Sequence, residues 1–299
     1  MKILILGATG MLGHKLFQIL NEQYETWGSV RGPKSSYADL EIFTQERIIE
    51  NLDCFDFENV ETVILKLAPD VVVNAAGIIR QLPSGKDPIA CLTINSLLPH
   101  KLDAICQRIG SRLIQISTDC VFSGTKGNYI ETDYPDPEDL YGRSKLLGEV
   151  TSPNSVTLRT SIIGRELRWR SSPGLIEWFI GNNNGAVNGF TRAIYSGLPT
   201  IALARVVANV VQNYPRLTGL YHVSADPITK YDLLCMVRDA FNLEIEVNQL
   251  AEPNSDASLN SEKFRNLTGY SPEPWENMIA EMANDKTPYQ RYHKSSQGL

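Results

Sequence analysis

Thr118, Tyr141 and Lys145 have no evident packing role in the sequence, yet together they make an acid–base group. Tyr141 and Lys145 are four apart in "DLYGRSKLLGE", so on a helix they share one face. Thr118 closes the apolar run "RLIQIST", where a buried strand would present it at its carboxyl end. A free phenol has a pKa of about 10 and is a poor proton donor or acceptor near neutrality. A neighbouring ammonium, with an oxidised nicotinamide close by, would lower that value by favouring phenolate. A threonine hydroxyl would hold a substrate carbonyl over a hydride donor. The expected chemistry is carbonyl reduction, with hydride to carbon from a nicotinamide and a proton to oxygen from Tyr141. It requires no metal. Spacing by itself is weak support, because a Tyr–Lys pair at i,i+4 readily arises by chance.

Such a group needs a scaffold, and the first half of the chain supplies one. Residues 2–6, 25–30, 48–52, 71–73, 112–116 and 156–159 read as short buried strands. Helical patterns at 11–21, 59–67, 89–109 and 140–150 alternate with them. That alternation predicts an α/β, Rossmann-type doubly wound parallel sheet whose ligand crevice lies at the carboxyl ends of its strands. "ILILGATGMLGHKLFQIL" sets Gly7, Gly10 and Gly13 between the first strand and the first helix. Glycines there permit the tight turn, let a pyrophosphate approach the backbone, and bring helix and strand together. The helix N-terminus adds free N–H groups for phosphate oxygens. The glycines therefore point to a dinucleotide.

Its identity turns on the end of the second strand, where a carboxylate would bind ribose hydroxyls. "TWGSVRGPK" offers Arg31 and Lys34 instead, and a guanidinium suits a phosphate monoester, so NADPH is expected ahead of NADH. Both residues could equally be solvated loop cations. Asp53 and Cys54 follow the third strand at the adenine position, where Asp53 would accept a hydrogen bond from the adenine or cap the next helix. "NAAG", with Ala75, Ala76 and Gly77, leaves room for the cofactor ribose.

Beyond residue 159 the rhythm loosens. A short helix at 175–180, helices at 204–213 and 230–241, and a strand at 220–223 suggest a smaller, interwoven α/β substrate lobe. The expected division is 1–160 for the dinucleotide-binding domain, rejoined by about 190–225. Residues 161–189 and 226–282 then form the lobe, and 283–299 a poorly ordered polar tail. With 42% hydrophobic and 21% charged residues in 299, the composition is that of a soluble globular protein. A net charge of −6 argues against nucleic-acid or anionic-membrane binding. Five scattered cysteines without a CxxC pair fit reduced thiols in the cytoplasm, and the apolar N-terminus is too short and glycine-broken for a signal or a span. A homodimer is allowed on general grounds alone.

Gly7-x-x-Gly10-x-x-Gly13, "NAAG", "STDCVF" and "YGRSK" occur in the order and spacing of the extended short-chain dehydrogenase/reductase family, which the chain resembles. More narrowly it resembles the dTDP-4-dehydrorhamnose reductase branch, and "RTS", "GLPT" and "GLYHVS" extend the likeness over most of its length. The resemblance implies catalytic roles for Thr118, Tyr141 and Lys145, a sugar contact for Asp119, and cofactor contacts for Met11, Leu12 and residues 75–78. It implies a nucleotide-linked 4-keto-6-deoxy sugar as substrate, serving surface-polysaccharide or glycan precursor synthesis.

Three segments depart from the branch pattern. Ile162 replaces an aromatic, "IYS" replaces an acidic-Gln pair before "GLPT", and the loop after "NAAG" reads "IIRQLPSGKDP". All three lie where the nucleotide sugar would bind. Cys120 stands where related dehydratases carry a catalytic glutamate, which it cannot replace. It also stands where GDP-fucose synthase, an epimerase–reductase, uses a cysteine. A thiol of depressed pKa would remove a proton beside a ketone, whereas a buried packing cysteine would do nothing. A non-catalytic regulatory subunit, like that of methionine adenosyltransferase, would use the same fold without an activated phenol. Arg165, Arg168 and Arg170 form a basic loop suited to a substrate diphosphate or to plain solvation. Trp169 and Trp178 would stack on a base or pack the lobe, and Asn95 would tie helix to sheet near the site.

Overall fold

The computed structural model describes residues 1–43, 45–168 and 172–297. Trp169 and Arg170 lie outside the described residues. Among the described residues the main sheet has seven strands, all parallel. Across it, in spatial order, run Gly219–His222, β6 (Ser155–Thr160), β5 (Arg112–Thr118), β4 (Val71–Asn74), β1 (Lys2–Leu6), β2 (Glu25–Ser29) and β3 (Ile48–Ile49). The order reverses between β1 and β4, the topological switch point of a doubly wound sheet. Both faces of the central strands are buried, as a parallel sheet between helices requires: β1 and β4 carry almost nothing but Ile, Leu and Val.

β3 is shorter than its sequence suggests because Asn51 turns the chain with φ of 55°. The expected 89–109 helix begins at Pro88–Cys91 and ends as Leu98–Ile109, with a π-helical segment, Leu92–Leu97, between. Pro99 has no N–H to offer the Asn95 carbonyl, which permits the wider turn.

A second set of strands builds the lobe. Ala186–Phe190 pairs in parallel with Glu246–Leu250, and Ala193–Tyr195 lies between Ile228–Thr229 and Ser255–Asp256. The helix Trp275–Ala283 packs on Lys230–Ala240, while Glu262–Thr268 lies against the main-sheet strand Gly219–His222, with Phe264 edge-on to Tyr221. The tail corrects the sequence expectation. Instead of a loose end, Tyr289–Gln297 is helical, and Tyr289 and Tyr292 are buried in the main core. Their i,i+3 spacing puts both rings on one face, which a polar composition concealed. No helix among the described residues is long and apolar enough to cross a membrane.

Candidate active site

A cleft of about 780 Å³ opens at the carboxyl ends of β1, β4, β5 and β6 and is closed on its far side by the lobe. Register places these ends together: Leu6 lies beside Asn74, Asn74 beside Gln115, and Thr118 beside Thr160. Gly10, Met11, Leu12, Ala75, Ala76, Gly77, Thr118, Asp119, Cys120, Tyr141 and Lys145 all line the cleft.

The glycine turn has the shape its spacing predicts. Gly7 adopts a φ of 79°, and a side chain there would press on the Ala76 backbone at 3.0 Å. A Cβ on Gly13 would stand 2.0 Å from the Gly7 carbonyl oxygen, so only glycine lets the helix Gly13–Leu20 start this close to the strand. No side chain caps that helix, and Gly10, Met11 and Leu12 just ahead of it line the cleft where an anion would meet its N-terminus. These features fit a dinucleotide pyrophosphate. Arg31 is exposed beyond β2, close enough to Cys54 for its charge to oppose the rise in the Cys54 pKa, which burial pushes up to about 11. Asp53 is not the cap of the next helix: that is Asp56, whose carboxylate accepts from the Asn59 N–H at 3.1 Å. Asp53 accepts from the Phe55 N–H at 3.1 Å and remains exposed.

The helix Leu140–Leu147 carries Tyr141 and Lys145. Asp139 caps it, accepting from the Gly142 N–H at 2.7 Å. Gly142 has no room for a Cβ, which would lie 2.1 Å from the Cys120 carbonyl oxygen, and so the helix packs directly on the end of β5. From the other side, the π segment aims two adjacent side chains at Ser144. Ser96 Oγ donates to the Ser144 carbonyl at 2.7 Å, and Asn95 Nδ2 to Ser144 Oγ at 3.1 Å. Asn95 also clamps the Ile78 backbone through both amide atoms, at 2.9 Å each, and thereby ties this helix to the loop after β4.

Thr118 and Tyr141 line the same cleft, with the threonine hydroxyl near enough to act on the acidity of the phenol. Burial, and the nearby Cys120, hold the phenol above its ordinary pKa, while Thr118 and the charge of Arg80 pull it down. Lys145 is buried and donates to the Ile116 carbonyl at 2.6 Å; burial lowers its pKa to about 8, against the opposing charge of Glu149. Glu149 is itself held by Ser117 Oγ at 2.7 Å and by a buried pair with Arg159, also at 2.7 Å. Asp119 has its pKa raised by burial and accepts from Thr118 Oγ1 at 3.0 Å. The Cys120 thiol is pushed up to about 12 by burial and by Asp119, so near neutrality it stays protonated.

Arg165 does not face the cleft. Its Nε donates to Glu177 at 2.6 Å and its guanidinium lies 4.6 Å from the centre of the Tyr289 ring. Arg168 is paired with Asp39 at 2.6 Å. Arg165 is thus taken up by a buried carboxylate 12 residues on and by the ring of the distant Tyr289. Among the described residues, the cations that line the cleft besides Lys145 are Arg80 and Lys230, neither singled out in the sequence. Tyr195 lines it too. Its buried hydroxyl lacks hydrogen-bond geometry to any described residue, although Ser161 is near enough to act on its acidity. The signal for Arg80 and Tyr195 lay in the segments that depart from the branch pattern, "IIRQLPSGKDP" and "IYS".

Comparison with known proteins places this geometry in a family. Methionine adenosyltransferase 2 subunit beta of Danio rerio is 30% identical over 254 residues, covering 81% of this chain and 74% of the relative. The crystal structure of a hypothetical dTDP-4-dehydrorhamnose reductase from Sulfolobus tokodaii superposes with a TM-score of 0.77 at 29% identity, covering 93% of this chain and 99% of the other. A dTDP-4-dehydrorhamnose reductase from Bacillus anthracis, solved in complex with NADP, shares the fold with a TM-score of 0.76 at 20% identity, covering 94% of this chain and 98% of the other. The family model described as RmlD substrate binding domain matches residues 1–287, and it is to this family that the chain belongs.

Proposed function

We propose that the protein is an NADPH-dependent reductase of a nucleotide-linked 4-keto-6-deoxy sugar. The observation that carries this reading is that Thr118, Tyr141 and Lys145 line one cleft together with the end of the glycine turn, Gly10 to Leu12. Bound NADPH supplies the hydride to the 4-keto carbon. Thr118 orients the carbonyl by hydrogen bonding, and Tyr141 donates its proton to the oxygen as charge develops there. Lys145, held by the Ile116 carbonyl, sits one helical turn from the phenol to contact the cofactor ribose. Asp119 binds a sugar hydroxyl, and Lys230 replaces Arg165 as the lobe's cation for the substrate diphosphate. The NADP in the Bacillus anthracis reductase and the exposed Arg31 beyond β2 both support NADPH as the cofactor.

Incubating the protein and NADPH with dTDP-, GDP-, CDP- and UDP-linked 4-ketosugars, and following nicotinamide absorbance, tests the reading. At least one should be reduced. Tyr141→Phe should slow that turnover by about 10²–10⁴-fold with cofactor binding kept. A variant that reduces the ketone at the unmodified rate removes Tyr141 from the chemistry.

A second reading, a non-catalytic regulatory subunit, is favoured by the likeness to methionine adenosyltransferase 2 subunit beta. It predicts binding to a methionine adenosyltransferase catalytic subunit and no ketosugar-dependent NADPH oxidation. The complete Thr118, Tyr141 and Lys145 group favours the enzyme, since a scaffold has no use for it.

A further inference from the structure

The loop after β4 sends Arg80 into the cleft, and three contacts define its place. Its Nη2 donates to Cys120 Sγ at 2.7 Å, its Nη1 lies 3.6 Å from an Asp139 carboxylate oxygen, and its guanidinium carbon is 5.8 Å from the centre of the Tyr141 ring. Cys120 is two residues beyond Thr118, and Asp139 caps the helix that bears Tyr141. One side chain thus spans the two elements that bring the hydroxyl and the phenol together.

The charged and titratable groups around Tyr141 come from three elements. Asp119 and Cys120 approach from the end of β5, with the Thr118 hydroxyl; Asp139 and Lys145 lie on its own helix; Arg80 comes from the loop after β4. Asp119 opposes ionisation of the phenol, and Arg80 is a cation that favours it. Lys145 donates to the Ile116 carbonyl at 2.6 Å.

We propose that Arg80 is a positioning residue for the proton donor: it holds the phenol against Thr118 and supplies the nearby positive charge that favours phenolate. The role rests on the reductase reading for Tyr141, but the acidity itself can be measured without turnover. A half-exposed guanidinium about 6 Å from a partly solvated phenol should shift its titration by about one pH unit, enough to be read directly.

The test uses full-length protein labelled with [13Cζ]tyrosine and loaded with NADP+, with the Tyr141 resonance assigned by its loss in Tyr141→Phe. In Arg80→Gln the Tyr141 titration should move up by about one pH unit, and Arg80→Lys should restore most of it. A step at the same pH in all three proteins overturns the proposal, as does a resonance that stays phenolic to about pH 10.5 in every one of them. Failure of the unmodified protein to reduce any ketosugar would reject the reductase reading and leave the titration result standing by itself.

Discussion

Burial sets the acid–base state of the side chains around the cleft. It keeps Cys120 a neutral thiol, with a pKa near 12, and brings Lys145 down to about 8. Proton abstraction beside a ketone would need the thiolate, which burial disfavours here. Arg31 differs from these residues in being exposed, and its role depends on what it meets from outside. A guanidinium there favours the 2′-phosphate of NADPH, whereas a carboxylate would repel it and accept hydrogen bonds from a free ribose. Arg31→Asp should therefore lower kcat/KM for NADPH and raise it for NADH, a reversal of preference on the order of 10-fold or more in steady-state kinetics. Unchanged values for both cofactors would place the phosphate contact elsewhere.

The elements that carry these residues are held by close backbone approaches and a few buried hydrogen bonds. At the start of Gly13–Leu20 the decisive contact is Gly13 against the Gly7 carbonyl, which a Cβ would meet at 2.0 Å. Backbone, not a flexible side chain, is the obstacle, so the helix itself must move. Gly13→Ala is expected to cost about 1–3 kcal/mol and to abolish tight NADPH binding, read by thermal melting and by nicotinamide fluorescence. Preserved affinity would mean the helix tolerates a shift that close packing forbids. The glycine spacing was legible in the sequence because each residue acts on neighbours within one turn. The π segment was not. It shows only once Asn95 and Ser96 are seen to serve the helix bearing Tyr141, 48 and 49 residues further on.

Across the whole molecule, the C-terminal segment fastens the back of the glycine turn to the lobe. Lys15 pairs with Asp285, and its Nζ donates to Thr287 Oγ1 at 3.0 Å. His14, kept neutral by burial with its pKa lowered to about 3, links the Gly10 carbonyl to the Tyr289 hydroxyl at 2.9 Å on each side. His293 reaches the Glu166 carbonyl at 2.6 Å, beside the loop that lines the cleft. Both ends of the chain thus brace one site. Lys15→Met leaves the largely buried Asp285 with only the hydrogen bonds of Thr287 and Tyr289, a loss of about 1–3 kcal/mol that should appear as a lower Tm. Adding Asp285→Leu should recover a substantial part of it. A single variant as stable as the parent would show that the clasp carries no weight.

Sequence by itself determined the alternating strands and helices, the glycine turn and the Tyr141–Lys145 face, since hydrophobic period and turn chemistry operate over a few residues. Tertiary structure decided which cations face the cleft, the neutrality of Cys120 and the order of the tail. Arg165 turned to Glu177 and Tyr289, while Arg80 and Lys230 turned inward. Those outcomes depend on burial and on partners brought together from distant parts of the chain, and neither is encoded in local spacing.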